Sequence, residues 1–213
     1  MRKHCVFAAS LFALGLNCSG CNDTGGTIER KSLKYPNITS HVFQLPLNYL
    51  KDTLVTLFNF ANQYEDPDLR SVFYYYPSGD KEHKQLVTFN AETTNDSVFG
   101  NDYFKKSNTE NDIYLHDFGS VWESPLYQVD GKPLEYRTVF ALKLKSVDAS
   151  RTRLVIKAEN PVVINGTAGM GPHGFIAREE KVEPTTIEEH LLLLYIAKKL
   201  SDNSVAPVIW PAP

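Results

Sequence analysis

Asp130-Gly131 stands between two runs of strand-forming residues, VWESPLYQV before it and PLEYRTVFALKLKSV after it. Both members of the dipeptide tolerate the positive φ that tight hairpin turns demand, and β-branched and aromatic residues dominate the flanks. Two strands joined in this way must run antiparallel. The pattern repeats on either side: SVFYYY (71–76), QLVTFNA (85–91) and DIYLHDFG (112–119) come earlier, and TRLVIKAENPVVI follows Asp148-Ala149-Ser150. Strands follow strands with no helix between them, which is the order of an antiparallel meander and not of a parallel α/β sheet. The segment ETTNDSVFGNDYFKKSNTEND is polar and turn-rich, and reads as a long loop.

Helices bracket the meander. SHVFQL (40–45) alternates as a short strand, and residues 47–64 then place Leu47, Leu50, Leu54, Leu57, Phe58 and Ala61 at helical spacing, with Pro46 suited to the first turn. Near the other end, VEPTTIEEHLLLLYIAKKL carries a capping-box pattern in Thr186 and Glu189. Acids occupy its first turn and Lys198 and Lys199 its last. Its middle is apolar around most of the circumference, so a long C-terminal helix buried on more than one side is expected. The expected class is α+β: an antiparallel curved sheet with an N-terminal helix and that buried C-terminal helix, within one domain over residues 39–201. An extended, proline-rich tail follows over 202–213.

The chain's first residues, MRKHCVFAASLFALGLNCSGC, have a different character. Arg2 and Lys3 precede an apolar segment from Val6 to Leu16 and then small residues, the layout of a secretory signal over residues 1–20. The segment is too short to span a bilayer, which takes about 20 apolar residues. The formal net charge is −3, and residues 1–20 hold two of the basic side chains and no acid, so the remainder is more acidic still. Without a basic field, nucleic acid is excluded as a partner. Cys5, Cys18 and Cys21 are the only cysteines; the body has no disulfide framework, no thiol nucleophile and no cysteine metal site.

Cys18-Ser19-Gly20-Cys21 resembles the lipobox of bacterial lipoproteins, in which a peptidase cuts after a small residue and the next cysteine carries the lipid. The resemblance implies that Cys21 is lipidated, palmitate among its acyl chains, and that residues 21–38 form a polar tether. Each buried methylene of an acyl chain contributes about 0.8 kcal/mol, so an anchor of more than one chain holds stably. The family usually has leucine three residues before the cysteine. Here Cys18 occupies that position, which leaves ordinary cleavage without lipidation as the alternative. In the Gram-negative family an Asp after the cysteine marks inner-membrane retention, so Asn22 implies the periplasmic side of the outer membrane. The competing compartment is eukaryotic secretion, for which Asn22, Asn37, Asn95 and Asn165 each begin an N-glycosylation match.

In element order the body resembles the START and Bet v 1-like helix-grip superfamily, whose curved sheet wraps the last helix and encloses an apolar cavity. The resemblance implies Tyr74, Tyr76, Phe89, Tyr114, Trp122 and Phe140 as lining residues, with core filling as the alternative for each. The stretch from Gly169 to Gly174 matches the G-x-G-x-x-G fingerprint, but too little chain follows it to build the helix and second parallel strand that hold a pyrophosphate. It reads instead as a loop joining the last strand to the last helix, with Met170 and His173 as contacts over the cavity mouth. Glu179-Glu180 reads as part of the same solvated connection.

No metal site or cofactor is expected. The histidines are scattered singly, and His116-Asp117 on a strand point to opposite faces. There is no G-x-S-x-G elbow and no linear signature of a catalytic pair. The function expected is that of a cell-envelope lipoprotein, non-catalytic, binding an apolar or amphiphilic small molecule or an envelope protein partner. The rival readings are an envelope hydrolase whose site assembles only in space, through His116 or His173, and a purely structural adaptor.

Overall fold

The computed structural model describes residues 25–58, 89–92, 111–117, 122–172 and 174–211. In chain order the elements are β1 (Glu29–Arg30), β2 (Ser40–Phe43), α1 (Leu47–Leu57), β3 (Phe89–Glu92), β4 (Asp112–Asp117) and β5 (Trp122–Val129). They are followed by β6 (Lys132–Ser146), β7 (Thr152–Gly171), β8 (Gly174–Lys181) and α2 (Ile187–Lys199). The eight strands form one antiparallel sheet curled into a half-barrel. Its spine is the pair of long strands β6 and β7. Along one edge of the spine β5 pairs with the first part of β6 and β4 with the later part; along the other, β8 pairs with the end of β7 and β2 with its start. Short β1 extends β5, and β3 extends β4.

The Asp130-Gly131 turn forms as its composition requires, with φ of 49° and 77° at the two positions. The β6–β7 turn is locked by Asp148. Its carboxylate accepts from the N–H and hydroxyl of Ser150 and from Arg151 Nε at 2.6 Å. These bonds, the Ser150 N–H foremost, hold its pKa at about 2.

Curvature comes from bulges. Along β7 the buried residues are Thr152, Leu154, Ile156 and Ala158, then Pro161, Val163 and Asn165; the phase flips once. The flip sits at Asn160, whose φ is +50°, where the pairing with β6 shifts by one residue between Arg137 and Val139. An extra residue in one strand moves every later side chain to the other face unless the strand bends, and the bend keeps Val163 in the core. Two further shifts follow, at Gly166 and Gly169, both with positive φ.

Both helices pack into the core with the sheet. Leu50 and Leu54 of α1, with Phe58 one turn on, share a cluster with Phe140, Leu142 and Leu154 of the spine and with Leu191, Leu192 and Ile196 of α2. Phe58 and Tyr195 meet edge to face at 5.8 Å. Helix α2 is thirteen residues, an ordinary length and not the long helix expected, but it is buried around nearly its whole circumference as its composition requires. Its N-terminus departs from the expected capping box. Thr186 adopts a left-handed conformation (φ +66°) and its hydroxyl accepts the Asn37 N–H, while Thr185 accepts the N–H of Ile187 at 3.1 Å. One half of the box survives, since the Glu189 carboxylate faces the Thr186 N–H.

From Gly25 onward, the segment expected to be a free tether lies along the body. β1 pairs with β5, Ile28 and Leu33 pack against the core, and Asn37 is buried. The tail is extended, as expected, and returns to the core through Val205, Val208 and Trp210. The last connection also differs from expectation. The glycine-rich stretch does not lead to α2; it is the tip of a β7–β8 hairpin, and Glu179 and Glu180 lie on a strand.

Candidate functional site

Of the residues expected to line a cavity, Phe140 lies in the core at 2% exposure, directly across the ladder from Leu115. Tyr114 alternates with the buried Ile113 and Leu115, so it projects from the opposite face of β4. Trp122 opens β5 opposite Tyr136 and Phe89 opens β3, but their side chains, with Cys21, Tyr74, Tyr76 and His173, lie outside the described residues. The side chains of His116 and Asp117 do so too. Met170 is at the hairpin tip, 74% exposed and away from the interior. Thus the sheet brings none of the described candidates together at one cavity.

Beneath the sheet, residues that composition had assigned only to a helix start form a buried polar group. Glu188 and Glu189, in the first turn of α2, are 0% and 2% exposed. Glu189 Oε1 accepts the Ala158 N–H at 3.3 Å, while its Oε2 has no partner and the hydroxyl of Tyr136 faces only the Thr185 backbone, outside good hydrogen-bond geometry. Burial pushes the Glu189 carboxyl up. Burial, reinforced by the nearby Glu188 and Glu189, pushes the Tyr136 phenol well above its ordinary value. A helix that is apolar all round has no solvent side to offer its first turn, and that was the signal in the sequence for these buried acids. Tyr136→Phe removes a buried hydroxyl whose one neighbour, the Thr185 backbone, is poorly placed to bond it. It should leave stability unchanged or raise it by up to about 1 kcal/mol in chemical denaturation, where loss of a made bond would show as a fall.

A second polar cluster sits where β2 meets the end of α2. His41 Nε2 is 2.8 Å from Asp202 Oδ2, and Ser204 donates its hydroxyl to Asp202 Oδ1 at 2.6 Å. The Ser204 hydroxyl leads the effects that lower the Asp202 pKa. Although histidine, acid and serine are all present, Ser204 Oγ reaches the same Nε2 that Asp202 occupies, at 3.5 Å. A hydrolytic triad sets acid and hydroxyl on opposite ring nitrogens, so this cluster does not activate a nucleophile. It borders a groove of about 660 Å3 lined by residues 42–45, Tyr49 and residues 199–204. Leu45, Tyr49 and Leu200 supply apolar walls, and Gln44, Lys199, Asp202, Asn203 and Ser204 a polar rim.

No family model, curated protein or solved structure matches the chain. Among the described residues no group of three or more metal-ligating side chains converges, and no helix is long and apolar enough to cross a membrane. Two of the glycosylation matches fall on buried amides. Asn37 Nδ2 donates to Ile209 O at 2.9 Å, and Asn165 Nδ2 donates to Gly26 O and Glu180 Oε1, both at 2.9 Å. A glycan on either nitrogen would displace those partners.

Proposed function

We propose that this chain is a cell-envelope lipoprotein, anchored through a lipidated Cys21 at the periplasmic side of the outer membrane. Its helix-grip-like α+β domain works as a non-catalytic binding module for an amphiphilic small molecule or an envelope protein partner. The observation that carries the binding role is the groove between β2–α1 and the turn after α2, of the size that ligand sites occupy, with an apolar wall and converging polar groups. The anchor is supported by the confinement of every cysteine to the first 21 residues.

Both halves have direct tests. Labelled palmitate should enter the mature protein and be lost in Cys21→Ser, and globomycin should accumulate a heavier precursor; unchanged processing with release into the soluble periplasm would remove the anchor. Native mass spectrometry after mild extraction should show a retained ligand in the parent and not in Tyr49→Ala, whose exposed ring leaves the core untouched. Bare protein in both samples would leave the partner-binding version.

A further inference from the structure

The β7–β8 hairpin ends in an apolar tip that the core does not use. Beyond Glu135↔Ile164, β7 has no partner in β6, and from Thr167 onward it pairs with β8 alone, so the tip is a two-stranded ribbon. Met170 and Phe175 face one another across its ladder and are 74% and 73% exposed, with Ile176 next to them at 53%. From Asn160 through Ala177 the sequence contains no Asp, Glu, Lys or Arg; the first charges behind the tip are Arg178 and Glu179. Water is a poor solvent for such a projection.

The start of the described chain lies at the same end of the sheet. Gly25 lies so close to Asn165 that a side chain there would strike its carbonyl and amide, and the Gly26 carbonyl accepts from Asn165 Nδ2. Gly26 lies equally close against Val129, beside the β5–β6 turn. Four Cα–Cα steps lead from Cys21 to Gly25, a reach of at most about 14 Å. Five strand steps lead from Asn165 to Met170, about 16 Å. A bilayer holding Cys21 is therefore within reach of the hairpin tip.

We propose that the β7–β8 hairpin is a second membrane contact, Met170, Phe175 and Ile176 entering the leaflet that holds the acyl chains of Cys21. This rests on the lipoprotein reading above. Lipid and tip together orient the body with the β5–β6 turn toward the bilayer and the charged β6–β7 turn, with Asp148 and Arg151, away from it.

The test is the mature lipidated protein reconstituted in vesicles of phosphatidylethanolamine and phosphatidylglycerol with brominated acyl chains. Phe175→Trp should lose about half of its added emission, a depth of some 5–10 Å being enough for contact quenching. Val147→Trp, at the opposite end of the sheet and also exposed, should match the parent's background from Trp122 and Trp210. Equal quenching at both positions, or none at Phe175→Trp while palmitate is present on Cys21, would overturn the proposal. A Phe175→Trp emission that shifts in whole envelopes and not in protein-free vesicles would assign the tip to a protein partner, and would overturn it as well. Failure of the anchor reads differently: no palmitate on Cys21, with Phe175→Trp still quenched by added vesicles, keeps the membrane contact and removes the lipid.

Discussion

Asn37→Ala is expected to cost the fold about 2–4 kcal/mol, because the loss leaves several buried polar groups without partners. Asn37 is 6% exposed and ties three segments together. Its Oδ1 accepts from His190 Nδ1 at 2.9 Å and from the Ile209 N–H at 2.7 Å, and its Nδ2 donates to the Ile209 carbonyl. The two bonds to Ile209 fix which end of the amide is oxygen, so the atom facing the histidine is an acceptor. The other ring nitrogen of His190 faces a second acceptor, Ala206 O at 2.7 Å, so neutral imidazole can donate to only one of the two and the Ala206 carbonyl favours the charged ring. Removing the amide opens the tail as well as weakening the core. The midpoint of chemical denaturation should fall and exchange of the Ile209 amide hydrogen should accelerate, while a midpoint within error of the parent would show that the clasp contributes nothing.

The second large effect depends on pH. Burial raises the Glu189 carboxyl above its ordinary value of 4.5, so the folded state holds a proton that the unfolded state has released. That contribution to stability is complete below the ordinary carboxylate range and is lost as pH rises through the raised value. His190 slopes the other way: burial lowers its pKa from 6.5, outweighing the Ala206 carbonyl that favours the charged ring, so the fold weakens as pH falls. Comparing the parent with Glu189→Gln cancels the histidine. The variant should gain on the parent by about 3–6 °C in Tm between acidic and mildly alkaline buffer. A constant difference across that range would mean that the fold does not raise the Glu189 carboxyl.

How much of this was legible depends on how local the signal is. The β5–β6 hairpin was readable because two adjacent residues alone must take positive φ, and Asp130-Gly131 can. α1 was readable from Leu50 and Leu54, one turn apart on a single face, but it ends at Leu57 with Phe58 as its C-cap, and residues 59–64 of the helix expected over 47–64 lie outside the described residues. The β7–β8 hairpin was not readable, because the bulges at Gly166 and Gly169 break the alternation by which a strand is recognised, and β8 is exposed along most of its length. The glycines that resembled a phosphate loop serve a twisted ribbon instead. The buried acids were hidden for another reason: Glu188 and Glu189 fit a helix start so well that the apolar circumference of α2, the one sign of their burial, was outweighed. Likewise the tail's extended form followed from its prolines, whereas its attachment to Asn37 joins residues far apart in the chain, which no window of sequence contains. Of the site, the leader's Cys21 was an expectation from local layout, and the groove beside His41 and Asp202 was invisible, since its two walls come from opposite ends of the chain.

The clasp on Ile209 also bears on the moment at which the molecule can finish folding. Ile209 lies 172 residues beyond Asn37, and while the ribosome still encloses it, Asn37 and His190 have no closing partner. A nascent chain can form the local β5–β6 and β6–β7 hairpins early, but it cannot join Asn37 to Ile209 until both have left the ribosome. If the chain is exported as proposed above, such a late lock keeps the window for translocation open.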